Sequence, residues 1–266
     1  MRMLAVDMDD TCLNSKNRIS QKTLNALEKA AAAGIEIVPT TVRALSCLPH
    51  QLRDAKYIHY VISSNGASVT DLKTNQLIYT SMIPLETTCQ VLEKCRKLGI
   101  VSTIHACNEL MIQGHIPTII GRMTYGQDTA RALYRKNLSA YIKDNTLDVE
   151  SLQLIRFTPN SCKKAMAMLK QFPQLTVSNA RKYIDVFMQN TTKGNAVAAL
   201  AAHLNISKEE MACIGDNAEN DSTMFSVCGL KFAVGNAEQA LKDAADYVVA
   251  SNDEDGVAEA IEKYLL

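Results

Sequence analysis

The stretch at residues 4–13, LAVDMDDTCL, runs a short apolar segment straight into three acids, Asp7, Asp9 and Asp10. Such a run reads as a buried strand. Carboxylates crowded at the end of a buried strand repel and raise one another's pKa, so a fold gains nothing from them unless an opposing charge is present. In open α/β sheets ligands bind outside the carboxyl ends of the strands, and polar residues directly after apolar runs are the ones to inspect.

The chain supplies the sheet that this reading requires. After the first strand, SQKTLNALEKAAAAG predicts a helix with Ser20 as N-cap and Gly34 just past its end. IEIVPT (35–40) reads as a second strand, a helical piece follows around 45–55, and YIHYVISSNG (57–66) reads as a third strand. The same alternation returns late, with a helix over 194–204, the strand MACIGD (211–216), a helix near 220–227 and the strand LKFAV (230–234). A helix over 237–245, a strand at 247–249 and a helix over 256–264 close the chain. Strand and helix in alternation imply right-handed crossovers and a parallel sheet.

Between about 82 and 183 the pattern changes. A helix opens at Pro84 and ends near Gly99, VSTIH and ELMIQ read as neighbouring strands, and helices are expected near 124–135 and 162–171. Strands at LQLIRF (152–157) and QLTVSN (174–179) complete an α+β pattern. We therefore expect a discontinuous core built from residues 1–81 and 184–266, carrying an inserted second domain at 82–183.

Composition narrows the partners. Lys plus Arg equals Asp plus Glu at 28 each, which leaves no electrostatic footprint for nucleic acid and no polybasic membrane contact. No apolar run approaches the roughly 18 residues of a spanning helix. The eight cysteines form no C-x-x-C pair, and the N-terminus turns acidic too early for a signal peptide, so a cytoplasmic location with reduced thiols is expected. A small metabolite is the expected partner of a monomer or small homo-oligomer.

Acids on two strand ends, in VDMDDT and CIGDNAEND, with Lys193 in NTTKGN, point to a hard cation held by oxygen ligands. Mg²⁺ favours one or two carboxylates completed by water and substrate phosphate. A carboxylate beside such a cation and a lysine can attack phosphorus, giving an aspartyl-phosphate that water hydrolyses.

These residues resemble the haloacid dehalogenase-like (HAD) phosphatases, and among them the Cof-type group. The motif D-x-D-x-[TV] matches Asp7-Met8-Asp9-Asp10-Thr11, the hydroxyl after strand two matches Thr41, the lysine matches Lys193 in KGNA, and the GD-acid motif matches Gly215, Asp216 and Asp221. SSNGA and the C-terminal tail follow the Cof-type pattern, and the middle segment resembles its C2-type cap. The resemblance implies an α/β fold, a Rossmann-like parallel-sheet core with an inserted α+β cap, and a Mg²⁺-dependent phosphatase acting on a sugar phosphate, nucleotide or cofactor phosphate. It implies that Asp7 is the nucleophile and Asp9 the acid and base, with Thr41 and Lys193 binding phosphoryl oxygens. Asp7, Asp216 and the Asp9 carbonyl would hold the metal, Asp221 would support it, and Arg43, Asn65, Gly66 and Asn220 would contact substrate.

The chain departs from that pattern at three places. Asp10 stands where the family has Gly, Val42 replaces the Gly of T-G-R, and the GD-acid motif is one residue longer than usual. The alternatives are a phosphomutase sharing the aspartyl-phosphate and a low-activity sensor of phosphorylated ligands. A Rossmann oxidoreductase is disfavoured by the lack of G-x-G-x-x-G after strand one. The five histidines show no metal-ligand spacing, and Ser207-x-x-Glu210 reads as a structural capping box.

Overall fold

The computed structural model describes residues 1–113, 132–155, 159–178 and 183–266. They fall into two compact units, one of residues 1–42, 49–79 and 192–266, the other of residues 43–48 and 80–191.

The first unit is built on an eight-stranded sheet. Its strands are β1 (Met3–Asp7), β2 (Glu36–Thr40), β3 (Tyr60–Ser63), β4 (Ser68–Asp71), β5 (Leu77–Thr80), β12 (Met211–Gly215), β13 (Leu230–Ala233) and β14 (Tyr247–Val248), in the order β14-β13-β12-β1-β2-β3-β4-β5. β1 lies centrally between β12 and β2, parallel to both, and Met3 to Val6 are fully buried, as a strand covered on both faces must be. The register sets Asp7 opposite Thr40, and Val6 opposite Ile214, so the ends of β1, β2 and β12 fall at one level. Helix α1 (Gln21–Ala32) begins where Ser20 accepts from the Thr23 N–H, buries Ala26, Leu27 and Ala30, and is followed by Gly34 at φ +90°. The α/β class and parallel core match the sequence reading.

The sheet also carries what the pattern did not reveal. β4 pairs antiparallel with β3, and the expected strand over 57–66 shrinks to Tyr60–Ser63 because the chain turns at Ser64 and Asn65, both with positive φ. The helical piece near 45–55 is a short turn at Leu45–Cys47 followed by the single-turn helix α2 (His50–Arg53), Pro49 separating them.

The second unit holds a six-stranded sheet of order β10-β11-β9-β6-β7-β8. Its strands are β6 (Ser102–Ala106), β7 (Glu109–Gln113), β8 (Leu133–Arg135), β9 (Ser151–Ile155), β10 (Leu175–Ser178) and β11 (Tyr183–Met188). Helices α3 (Leu85–Lys97), α4 (Leu138–Asp144) and α5 (Pro159–Leu169) contribute Val91, Ile142 and Met168 to a core shared with Ile104, Leu152, Leu154, Ile184 and Val186 of the strands. Alternate residues of the same strands are polar: Thr103 donates to Gln153 (3.2 Å), which donates to Asp185 (2.9 Å).

Two expectations change here. The core, expected to resume at residue 184, resumes only at Thr192: Tyr183–Met188 forms β11, which pairs antiparallel with β9 and β10 in the second sheet. Its apolar alternation fits either sheet, and only pairing partners decide. The helix expected near 124–135 lies largely outside the described residues, and its last three residues form β8. Helix α4 was not anticipated.

Buried His105 gives this unit an acid sensitivity. Burial pushes its imidazole down to about 4 from an ordinary 6.5, so it is neutral when folded and binds a proton when unfolded. The stabilisation is complete above pH 6.5 and is lost as pH falls towards 4. The shift amounts to about 3 kcal/mol. Unfolding followed from pH 7 to 4 should show this slope, and His105→Gln should flatten it.

Candidate active site

The sheet ends bring together residues far apart in sequence. Lys193 is the first residue of α6 (Lys193–Leu204), whose N-cap Thr192 accepts from the Asn195 N–H. A cation at a helix N-terminus opposes the macrodipole, so it needs anions in front of it. It has them: Lys193 Nζ donates to Asp7 Oδ1 at 2.5 Å and to Asp221 Oδ1 at 2.7 Å. All three side chains are buried, at 2 %, 4 % and 0 % exposure for Lys193, Asp7 and Asp221. Burial alone would lower the lysine pKa, but Asp221 and then Asp7 more than offset it and hold the ammonium charged.

Asp221 sits in the first turn of α7 (Ala218–Val227). The N-cap of that helix is Asn217, which accepts from the Asn220 N–H, so Asn220 and Asp221 lie inside the first turn. The second oxygen of Asp221 accepts from the backbone N–H groups of Asp216 and Asn217, both at 3.0 Å. Gly215 makes this possible, since a Cβ there would lie 2.5 Å from Asp221 Oδ2. With both oxygens engaged by the chain itself, Asp221 fixes Lys193 and the loop after β12 rather than facing open space.

Asp216 is half-buried, and Thr11 Oγ1 donates to its Oδ1 at 3.0 Å. Burial and then Asp221 push its carboxyl up to about 6. Asp7 is raised well above the ordinary range by burial first, and then by Asp221, with Asp216 adding to it and Lys193 opposing. Asp7, Asp216 and Asp221 each offer an oxygen within 4.8 Å of the others. When ionised, the three carboxylates against one ammonium carry two net negative charges on hard oxygen donors, a set that fits a dication such as Mg²⁺, whose charge would offset the repulsion that raises Asp7 and Asp216. Burial, with Asp7 adding to it, pushes the Cys12 thiol up to about 12, so it stays protonated and inert beside this cluster.

Asp9 and Asp10 lie in the turn over Met8–Cys12, closed by the Leu13 N–H donating to the Met8 carbonyl at 2.8 Å. Asp9 is half-buried and Asp10 exposed. Asp10 has φ +57°, ψ +7°, a left-handed conformation, and the Asn236 side chain donates to its carbonyl at 2.7 Å. The position therefore favours glycine, the residue that the resemblance leads one to expect there. Asp10→Gly should stabilise the protein by about 1 kcal/mol in urea unfolding. Val42, by contrast, is not among the non-glycine residues with positive φ, so its branched side chain is accommodated in ordinary backbone.

Thr41 is fully buried at the end of β2; its N–H donates to the Ile62 carbonyl and its carbonyl accepts from the Asn65 N–H, both at 2.9 Å. Asn65 is left-handed (φ +59°), and its Oδ1 is buried without a hydrogen-bond partner. Gly66 has φ +90°, and a Cβ on it would lie 2.3 Å from the Thr192 carbonyl oxygen. Its demonstrable contact is with the backbone that carries Lys193. Gly66→Ala should cost about 3 kcal/mol from overpacking and left-handed strain, and should cut turnover by shifting Lys193. Denaturant unfolding and kinetics check it together. Arg43, half-buried, belongs with residues 43–48 to the second unit, where the Ser46 N–H donates to the Asn108 carbonyl.

Sequence reasoning gave no role to Thr11, Asn217 or Asn236. Thr11 was visible as the fifth position of the first motif, and Asn217 as an Asn before a helix; Asn236 had no sequence signal.

A family model for haloacid dehalogenase-like hydrolases matches residues 4–261. The chain belongs to the haloacid dehalogenase-like hydrolases. Within that family it is a Cof-type phosphatase. This HAD hydrolase is 28 % identical over 302 residues to the phosphatase YwpJ of Bacillus subtilis, covering all of both chains. It is 26 % identical over 276 residues to the 5-amino-6-(5-phospho-D-ribitylamino)uracil phosphatase YcsE of the same organism, covering 100 % of this chain and 96 % of that protein. Its fold is shared with the crystal structure of a haloacid dehalogenase-like hydrolase from Bacteroides thetaiotaomicron, at a TM-score of 0.88 and 24 % identity over 98 % of each chain.

Proposed function

We propose that this HAD hydrolase cleaves the phosphate monoester of a small metabolite, a sugar phosphate, nucleotide or cofactor phosphate, through an aspartyl-phosphate on Asp7. The observation that carries this reading is the buried Asp7–Lys193–Asp221 triad beside Asp216 at the ends of β1 and β12.

Lys193 orients Asp7 and opposes the protonation that burial favours, and an Asp7 oxygen attacks phosphorus while the bond from phosphorus to the leaving oxygen breaks. Asp9 gives its proton to that leaving oxygen. It then takes a proton from the water that attacks the phosphorus of the aspartyl-phosphate, freeing phosphate and restoring Asp7. Thr41 and Lys193 hold the phosphoryl oxygens, where developing charge needs fixed donors. Mg²⁺, held by Asp7, Asp216 and the Asp9 carbonyl, supplies charge neutralisation at the phosphoryl group when bound. Asp221 supports that metal site by fixing the loop that carries Asp216. Arg43, Asn65 and Asn220 contact substrate, and Gly66 acts by positioning Lys193.

The name of the relative YcsE supports a small phosphorylated metabolite as substrate. Among the described residues no helix is long and apolar enough to cross a membrane, and we assign the enzyme to the cytoplasm as a monomer or small homo-oligomer. The second unit acts as the cap that selects the leaving group.

Phosphate release from a panel of phosphorylated metabolites, with Mg²⁺ and with chelator, tests the proposal. Release from at least one small monoester that chelator abolishes is expected; release that is indifferent to chelator would remove the metal from the account.

A further inference from the structure

The second unit contains a cavity of about 590 Å³ between α3, the turn after it, the start of β6 and α4. Every described residue that lines it belongs to this unit, and none of these is among the catalytic positions. Its size lies in the range of small-molecule sites.

The lining is amphipathic. Leu92, Ile100 and Val101 give an apolar wall, and Arg96 and Lys143 stand at the rim. Glu93, also at the rim, ion-pairs with Lys97 at 3.0 Å, one turn further along α3. Among the described residues neither Arg96 nor Lys143 enters an ion pair within 4 Å; Glu93 feels both charges, but against Lys97, Arg96 and Lys143 together it leaves the rim net positive. Ser102 lines the cavity as well. It is 7 % exposed and its Oγ is buried without a hydrogen bond of ordinary geometry; its polar neighbour is the Cys95 thiol, a weak sulfur partner that burial raises to about 11 and the contact with Ser102 pulls down. A buried hydroxyl whose neighbour is only a thiol is poorly satisfied, and a ligand oxygen entering the cavity would give it a stronger partner.

We propose that this cavity binds a small organic anion, with its carboxylate or phosphate group against Arg96 and Lys143, its apolar part against Leu92 and Ile100, and an oxygen at Ser102. The site is separate from the hydrolytic one and does not depend on the reading given for it.

The test is methyl NMR of the full chain labelled at isoleucine, following the Ile100 methyl during titration with benzoate and, separately, phenylphosphonate. Either anion should shift that resonance saturably, and the stronger of the two distinguishes a carboxylate from a phosphate ligand. Benzyl alcohol, which lacks the charge, and inorganic phosphate, which lacks the apolar part, should each need at least tenfold higher concentration. Arg96→Gln with Lys143→Gln should weaken the stronger anion tenfold or more, and Lys22→Gln, an exposed lysine of the other unit, should leave it unchanged. Ser102→Ala should weaken binding while raising the melting temperature of the free protein, a combination that a merely structural serine would not give. An Ile100 methyl that responds to neither anion, an equal response to benzyl alcohol, or unaltered binding in the double variant or in Ser102→Ala would overturn the proposal.

Discussion

Asp7→Asn should lower turnover by about 10⁴-fold or more while leaving the protein folded. The amide keeps the size of the carboxylate but cannot form the acyl-phosphate. Stability should be preserved, because Asp7 is raised well above its ordinary range by burial and by Asp221, and removing its charge relieves that repulsion. Lys193 keeps Asp221 as a partner at 2.7 Å. Phosphate release and thermal unfolding of the same preparation check both halves. Loss of activity through unfolding would contradict the account as firmly as retained activity.

Lys193→Met should behave in the opposite way. Removing the ammonium leaves Asp7 and Asp221 buried at 4 % and 0 % exposure without their cation. Breaking a buried ion pair by deleting one partner costs about 3–5 kcal/mol. Activity is lost with it, since nothing orients the nucleophile. Adding Asp221→Asn to Lys193→Met should return part of the stability and none of the activity. Lys193→Arg should not rescue turnover, because a planar guanidinium cannot take the place of an ammonium held between two carboxylates. Urea unfolding of the single and double variants measures the first effect, and kinetics the second.

Much of this site was legible because its chemistry sits directly after apolar runs. Asp7 after β1, Thr41 after β2 and Asp216 after β12 could be placed by noting where strands end, and the parallel register brings those ends level. Lys193 was legible for a different reason, as a cation where the helix dipole disfavours one. What stayed hidden depends on partners distant in sequence. The apolar alternation of Tyr183–Met188 fits either sheet, and its place beside β9 is decided by pairing alone. The division of labour between Asp216 and Asp221 came only from the family resemblance, and its physical basis was hidden, because it rests on two backbone N–H groups and on the missing side chain of Gly215. Asp10 raised a question in the sequence that the structure answers: it takes a left-handed turn, and its carbonyl is fixed by Asn236.

The central claim is that phosphate passes through Asp7, and one experiment tests it most directly. Asp9→Asn should lack the base that activates water, so the aspartyl-phosphate should accumulate. An aryl phosphate such as p-nitrophenyl phosphate, labelled with ³²P, has a leaving group that departs without a proton from Asp9, so the first step still proceeds. Acid quench and peptide mass spectrometry should find the label on the peptide bearing Asp7, in step with a burst of p-nitrophenolate. Phosphate released with no protein-bound label, or label on any residue other than Asp7, would contradict the account.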